Sequence, residues 1–424
     1  MRADPSRTRA DLGPIWVACG LGLFGLSNFV FLALVGRDLG PAASAPVSVA
    51  WTVLNALGIG LFQPLEQETG RRLAASRATG RGANVVTAVR FGVVASAVVL
   101  VVGLALMPWL ADVFFGSAQD IVVVVVLGLV GQALAYYARG VLAGQGRFVR
   151  YGAQLGVDGA LRIVLAGALF ALPDASRLSY GLVLVLAPVV ATLVTASPRA
   201  LLHVGRGHRD LPRGAGIGAL VAASTAAQVL ASLGPIAMAA LATPAQQGLS
   251  GRFVAAVTVA RIPLFLFAAV QAVFLPSLAG HIARHDVVRY RTAVRGARLA
   301  ALALAVSGVA GVWLLGEQAL ALIYGPEFAV GLSTLVVVAV SGGVFMLAQV
   351  QAQALLAHEQ ERVVALAWAA GVVGALVSLP LPGTLDLRVA VALTIGSAVS
   401  FLALTIALRR TDRRWDQLRR EALP

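Results

Sequence analysis

Charged residues inside long apolar stretches are the side chains of this sequence most able to do chemistry. They are Arg139, Asp158, Arg162, Arg252 and Arg261. Placing an arginine at the centre of a bilayer-spanning helix costs roughly 2.5–3.5 kcal/mol on insertion scales, so such residues often mark a substrate or ion pathway. Four cations against one acid predict a site for an anion, and a phosphate or diphosphate held by charge-assisted hydrogen bonds suits it well.

Each of these residues also has a structural explanation, which stays open at this point. Arg139 and Arg252 lie near enough to a membrane surface to extend their guanidinium groups towards it. Asp158 and Arg162 stand four residues apart on one helix face, where they could neutralise each other. Arg261 is harder to explain in this way, because about fourteen residues, or roughly 20 Å of helix, separate it from either end of its span.

Uncharged polar residues within the apolar stretches could line a cleft around this predicted anion site. Amide side chains suit sugar hydroxyls as ligands, and they suit hydrogen bonds between helices equally well. The candidates are Asn28, Asn55, Gln132, Gln228, Gln271 and Gln349.

The composition is that of a membrane protein. Of 424 residues, 59% are hydrophobic and 12% are charged, whereas soluble domains carry about 25% charged residues. Continuous apolar runs of bilayer length predict twelve transmembrane helices rather than barrel strands. They lie at 14–36, 42–64, 90–111, 120–143, 152–172, 179–197, 215–241, 247–275, 297–316, 328–352, 363–380 and 388–408.

The distribution of arginine predicts the orientation of these helices. Of the 33 basic residues, all of them arginine, 26 fall in one alternating set of connectors and 3 in the other. This asymmetry places the basic connectors and both termini in the cytoplasm, in the inner or plasma membrane. Contact with anionic lipid explains the basic connectors, so we expect no nucleic-acid partner.

Motifs of several other function classes are absent from the sequence. It has no Walker A motif for ATP, no HExxH motif, and a single cysteine, Cys19. The predicted outer connectors are too short to hold a catalytic domain. We therefore expect no metal or cofactor, and we predict that the protein is not an enzyme.

The two halves of the chain match each other at a nearly constant offset. "VFFGSAQDIVVVVVL" (113–127) matches "LIYGPEFAVGLSTLVVVAV" (322–340), "VLAGQGRFV" (141–149) matches "LLAHEQERV" (355–363), and "FQPL" (62–65) matches "FLPSL" (274–278), with offsets of 209, 214 and 212. We predict an all-α membrane protein of two parallel six-helix bundles, related by a pseudo-two-fold axis along the membrane normal. The bundles are residues 1–197 and 215–410, with a basic cytoplasmic linker at 198–214 and a basic cytoplasmic tail at 411–424.

Three segments carry a resemblance to a known family. They are "QPLEQETGRRLA", "RGVLAGQGRFVRYG" and "QQGLSGRFVAAVTVARIPLFLFAAVQAVFLPSLAG". The chain resembles the bacterial polysaccharide flippases of the multidrug/oligosaccharidyl-lipid/polysaccharide exporter superfamily, over essentially its whole length. The resemblance implies that a polyprenyl-diphosphate-linked oligosaccharide crosses from the inner to the outer leaflet by alternating access, with its headgroup in a cationic cavity.

In this family the resemblance implies headgroup binding first for Arg261, then for Arg162, Arg139 and Arg252. Its implied partners are the lipid-linked glycan and membrane lipids, with a polysaccharide polymerase or glycosyltransferases as further candidates. The alternative is a cation-coupled multidrug or small-molecule exporter of the same superfamily, in which an intramembrane acid would bind the coupling ion. Asp158 is the candidate for that role.

Overall fold

The computed structural model describes residues 13–79, 85–197, 217–264, 266–267, 278, 281–282, 284 and 286–421, and these contain no β-strand. Thirteen α-helices account for most of them: α1 (Gly13–Leu57), α2 (Gln63–Thr79), α3 (Val86–Ala105), α4 (Met107–Phe114), α5 (Gln119–Gly144), α6 (Phe148–Phe170), α7 (Arg177–Thr195), α8 (Ile217–Leu241), α9 (Gln247–Ala260), α10 (Val287–Tyr324), α11 (Leu332–Ala357), α12 (Glu361–Ser378) and α13 (Leu385–Glu421). Ten helical segments in the described part of the chain are long and apolar enough to cross a membrane.

The first two predicted spans form one helical run with a sharp break. At Gly40 the backbone leaves the helical region, with φ 71° and ψ 173°, and Pro41 follows. Glycine adopts positive φ without steric cost, and proline has no N–H to continue the ladder. A π-helical stretch, Gly58–Phe62, then joins α1 to α2. The continuous helix therefore carries Glu66 directly after the second span.

Most remaining spans match the described helices to within a few residues. The helices of the ninth and twelfth spans are longer than predicted, since α10 begins at Val287 and α13 ends at Glu421, and the eighth span is interrupted. Helix α9 ends at Ala260, whereas the sequence predicted a helix through 275. Pro263 cannot donate a backbone hydrogen bond, and its ring is so close to α10 that a methyl group on Gly308 would lie 2.5 Å from its Cγ. Residue 265 and residues 268–277 lie outside the described part, and Gln271 falls among them.

By contacts the chain separates into two units. Unit 1 comprises Met1–Asp38, Leu61–Leu110 and Gln119–Pro212. Within it, α5 packs against α2, α3 and α7, and α6 packs against α7. Buried valines and alanines on α5 form the centre of this unit, including Val124, Val126 and Ala138.

Unit 2 comprises Leu39–Gly60, Ala111–Ala118 and Arg213–Pro424. Helix α13 packs against α11 and α12, and α9 packs against α8, α10 and α11. Two segments from the first half of the sequence thus belong to the second unit.

The predicted division into two six-helix bundles, 1–197 and 215–410, stays a prediction, and the linker 198–214 lies outside the described residues. The described portion of the tail, 411–421, continues α13 as helix.

Candidate functional site

A buried polar triad lies inside unit 1. Nε of Arg162 donates to Oδ1 of Asp158 over 2.8 Å, and Nη1 of Arg162 donates to Oδ1 of Asn28 over 2.9 Å. The three residues are 4–5% exposed. The Arg162 guanidinium also lies 4.8 Å from the centre of the Phe24 ring, a cation–π distance. The structure thus joins three of the predicted site residues, and it satisfies the charge of Asp158 internally.

Close packing of α1 on α6 brings this triad together. Gly20 and Gly152 face each other so closely that a methyl group on either would overlap the other helix's backbone. A methyl group on Gly159 would lie 2.9 Å from the Leu23 oxygen. Small residues at such a crossing let two helix backbones approach, as in membrane helix pairs generally. Asn28 can therefore reach across to α6.

Arg139 binds Glu66, an acid that lies just beyond the predicted end of the second span at residue 64. Its Nε donates to Oε2 of Glu66 over 3.0 Å, and the hydroxyl of Tyr151 donates to Oε1 of the same carboxylate over 2.8 Å. The Arg139 guanidinium also stacks 4.0 Å from the Tyr136 ring centre. The balance of four cations against one acid therefore left out Glu66, which neutralises Arg139. Helix α2 continues without a break beyond residue 64, and it carries Glu66 into the packed interior of unit 1.

Arg261 has no acid partner among the described residues. It follows the last residue of α9, where the helix dipole favours a cation. Its Nη1 donates to the backbone oxygen of Ala231 on α8, and its Nε is buried without a hydrogen-bond partner. The side chain borders a small void of about 10 Å³ formed with α10 and α11, enough room for about one water molecule. Small residues, including Gly342, form the opposite wall.

Arg252 lines a separate cavity in unit 2. This space of about 140 Å³ is formed with Leu249, Phe253, Gly331 and Asp386. The Nε of Arg252 is buried without a hydrogen-bond partner. Asp386 instead accepts a hydrogen bond from the Thr334 hydroxyl over 2.7 Å. Within the described part of unit 2, Arg252 and Arg261 therefore carry charges that no carboxylate pairs with.

The predicted cavity-lining amides are dispersed. Asn28 joins the triad, while the side-chain nitrogen of Asn55 bonds to its own helix at the Trp51 oxygen over 2.8 Å. Gln132 on α5, Gln228 on α8 and Gln349 on α11 are half-buried. Of these two contacts, only that of Asn28 reaches another helix. A cavity-lining role of the other amides stays a prediction.

Sequence analysis missed two further buried polar contacts. Arg298, at the start of the predicted span 297–316, lies within α10 and donates from Nε and Nη2 to Oε1 of buried Gln351. Gln154 bonds to the hydroxyl of Thr192 on α7 over 2.8 Å. Its position on the face of α6 that also carries Asp158 was the available signal. No group of three potential metal ligands occurs in the described segments.

Curated relatives cover nearly the whole chain. The protein is 26% identical over 436 residues to an uncharacterized protein of Mycobacterium tuberculosis, Rv1510, covering 96% of this chain and 95% of the relative. It is 24% identical over 410 residues to a second one from the same organism, Rv3630, covering 91% and 90% of the two chains. No family model matches the chain.

Solved structures match along almost the full length. An inward-facing multidrug resistance MATE family transporter of the MOP superfamily superposes with a TM-score of 0.68, at 16% identity, covering 96% of this chain and 99% of the other. The fold is that of the MATE transporters. A MOP superfamily transporter from Pyrococcus furiosus, described as having a binding pocket of reverse polarity, matches with a TM-score of 0.64, 17% identity and 95% coverage of both chains.

These matches confirm the predicted fold class and a multi-pass membrane protein. They place the chain beside MOP superfamily structures, and the polysaccharide flippase family within that superfamily stays a prediction. The structures it matches are of transporters, and the absence of enzymatic activity also stays a prediction.

Proposed function

We propose that the protein moves a polyprenyl-diphosphate-linked oligosaccharide from the inner to the outer leaflet of the plasma membrane by alternating access. The observation that carries this proposal is the uncompensated charge of Arg261 in unit 2, whose half-buried side chain lies beside a backbone oxygen and a row of small residues and whose Nε is buried without a hydrogen-bond partner among the described residues. A buried cation without a counter-ion is costly, and binding an anion offsets that cost. The substrate would supply the missing negative charge.

The chemistry of arginine favours a phosphate as that anion. A guanidinium has five N–H donors, and in Arg261 one nitrogen contacts Ala231 while Nε is free of protein partners among the described residues. Charge-assisted bonds to phosphate oxygens are short and roughly twice as strong as neutral ones. A diphosphate carries the charge needed here, and its lipid tail would remain in the bilayer.

The alternative, a cation-coupled multidrug exporter, is supported by the multidrug MATE transporters that share the fold. Such a protein needs an acid able to exchange its ion. In unit 1, Asp158 already pairs with Arg162 and Glu66 with Arg139. A cation bound at either of these two carboxylates would have to displace an arginine, so the charge balance of this unit favours the lipid-linked anion.

Reconstituted transfer tests the proposal. Vesicles containing the protein are loaded on one face with a fluorescent polyprenyl diphosphate bearing N-acetylglucosamine, and transfer is followed by quenching on the other face. We expect Arg261→Gln to slow transfer by roughly 10- to 100-fold, the value of one or two charged hydrogen bonds. Exposed Arg409 provides the control, and Arg409→Gln should transfer normally.

The alternative function has its own outcome in the same vesicles. Proton-driven uptake of a cationic dye that is lost in Asp158→Asn, combined with normal lipid transfer by Arg261→Gln, would replace the flippase with the exporter. Transfer equal to that of the parent protein in Arg261→Gln, with unchanged thermal stability, would by itself exclude the role of that residue.

We further propose that both termini lie in the cytoplasm, as the arginine distribution predicts. The anionic inner leaflet would then contact the basic ends of α10 and α13, and a polymerase or glycosyltransferase would deliver or consume the glycan. Protease digestion of tagged termini in inside-out vesicles tests this orientation, and protected termini would contradict it.

A further inference from the structure

Unit 2 contains a polar cavity that the proposed diphosphate contact does not use. Its volume is about 230 Å³, room for about seven water molecules. The wall is formed by the segment of α1 near Pro46, the end of α4 with the turn after it, the end of α8, and the start of α9. Its lining side chains include Asp112, Phe114, Ser117, Gln247 and Ser250.

The lining combines three kinds of group. Asp112 supplies a carboxylate, Gln247 an amide with both donors and an acceptor, and Ser250 a hydroxyl. The half-buried ring of Phe114 supplies an apolar face. A sugar ring presents hydroxyl groups around its edge and C–H groups on its faces, and this set of side chains matches both. The carboxylate disfavours a phosphate in the same space.

The turn between α4 and α5 holds the carboxylate in place. Ser117, with φ 64°, donates from its hydroxyl to Oδ1 of Asp112 over 2.7 Å, which leaves Oδ2 without a partner in the described structure. Gly116 has φ 57°, and a methyl group there would overlap the amide of Gln247. Two consecutive left-handed residues and the missing Cβ thus bring Asp112 and Gln247 to one cavity.

We propose that this cavity binds a neutral sugar ring of the lipid-linked glycan. The inference rests on the proposed function and adds to it the recognition of the saccharide. Part of the wall comes from the predicted outer connectors 112–119 and 242–246, and the other lining residues come from the adjoining ends of spans. With the orientation that the arginine distribution predicts, the cavity lies towards the outer end of unit 2.

The position of the cavity relative to Arg261 suits one extended headgroup. Ser250 and Arg261 are eleven residues apart, which corresponds to about 16 Å along α9 and a rotation of only about 20° between them. Gln247 lies on the same side of the helix. One face of α9 therefore carries the cation near the middle of the unit and the sugar-binding groups nearer the outer end. A diphosphate followed by a short run of sugars would span this distance.

Binding to the purified protein in lipid nanodiscs tests the inference. The probes are polyprenyl diphosphate alone and the same lipid bearing N-acetylglucosamine, galactose or glucuronic acid, each titrated and measured by native mass spectrometry. We expect a neutral sugar to improve binding over the bare lipid by about tenfold. Glucuronic acid should not, because its carboxylate would face Asp112.

Two variants at the cavity separate the contributions of the carboxylate and the amide. Asp112→Asn should reduce the preference for the neutral sugar and should improve binding of the glucuronyl lipid, since the repulsion is removed. Gln247→Ala should reduce the neutral-sugar preference alone. Asp120→Asn is the matched control, because Asp120 lies at the predicted outer end of the fourth span and makes a partly exposed ion pair with Arg177, so it should bind like the parent.

The outcomes separate this inference from the proposed function. If the parent protein binds every neutral-sugar lipid and the bare lipid alike, or if both cavity variants keep the preference, the saccharide site is wrong while the flippase proposal stands. If the parent binds no polyprenyl diphosphate, the proposed function itself fails, and if Arg261→Gln binds it as well as the parent does, the role of Arg261 in that function fails.

Discussion

Nη1 of Arg162 donates to Oδ1 of Asn28 over 2.9 Å, although 134 residues separate the two in sequence. The contact fixes the Arg162 guanidinium from the side opposite to Asp158, so that both of its bonds are made within unit 1. An arginine held in this way is a structural element of its unit. It differs from Arg261, which has no carboxylate partner among the described residues.

This difference predicts distinct responses to mutation. Arg162→Ala leaves the Asp158 carboxylate buried without a counter-ion, and we expect a loss of about 3–5 kcal/mol in unfolding free energy. Replacing both residues together, Asp158→Leu with Arg162→Met, should cost much less than the single change. Unfolding in mixed detergent micelles, read as a double-mutant cycle, measures the coupling, and additive effects would contradict the pairing.

The Glu66–Arg139 pair should stabilise unit 1 far more than an exposed pair does. Their side chains are 16% and 8% exposed, against 30% and 45% for Asp120 and Arg177. Glu66→Ala should therefore cost about 3 kcal/mol or more, and Asp120→Ala less than about 1 kcal/mol. The same unfolding assay compares the two, and equal losses would show that burial of the first pair is not maintained.

The close crossing of α1 and α6 predicts that alanine substitutions at Gly152 and Gly156 differ sharply in their effect on stability. In Gly152→Ala the new methyl group overlaps the backbone at Trp16, and we expect a loss of about 1–3 kcal/mol or more with displacement of α1. In Gly156→Ala the nearest atom lies 3.8 Å away, an ordinary contact, so this variant should keep full stability. Thermal unfolding of both variants is the measurement, and a stable Gly152→Ala protein would argue against the crossing.

Arg252 should be dispensable for folding. No described carboxylate pairs with it, and its buried Nε lacks a hydrogen bond. Arg252→Met keeps an apolar chain of similar reach, so we expect unfolding free energy to stay within about 0.5 kcal/mol of the parent or to rise. Headgroup binding should weaken if the residue contacts substrate. A marked loss of stability would instead reveal a structural role for its charge.

Much of the fold follows from the sequence because apolar length has one outcome in a bilayer. A run of about twenty apolar residues must satisfy its backbone internally, which means a helix, and all predicted spans except the eighth match described helices. The eighth is interrupted after Ala260, at Arg261, and Pro263 just beyond lacks an N–H and packs close to Gly308. The effect of that proline depends on the neighbouring helix, which hydropathy does not report.

The candidate site divides in the same way. Sequence spacing alone determined that Asp158 and Arg162 share a helix face, because four residues make about one turn. It also singled out Arg261 as a cation deep in an apolar stretch. Only the tertiary structure decided which charges are neutralised, since the partners Glu66 and Asn28 come from other helices and their contacts depend on how closely those helices pack. The order of residues along the chain determines where the helices form and which of their positions are charged. Which charges are compensated depends on side chains that the fold brings together in space.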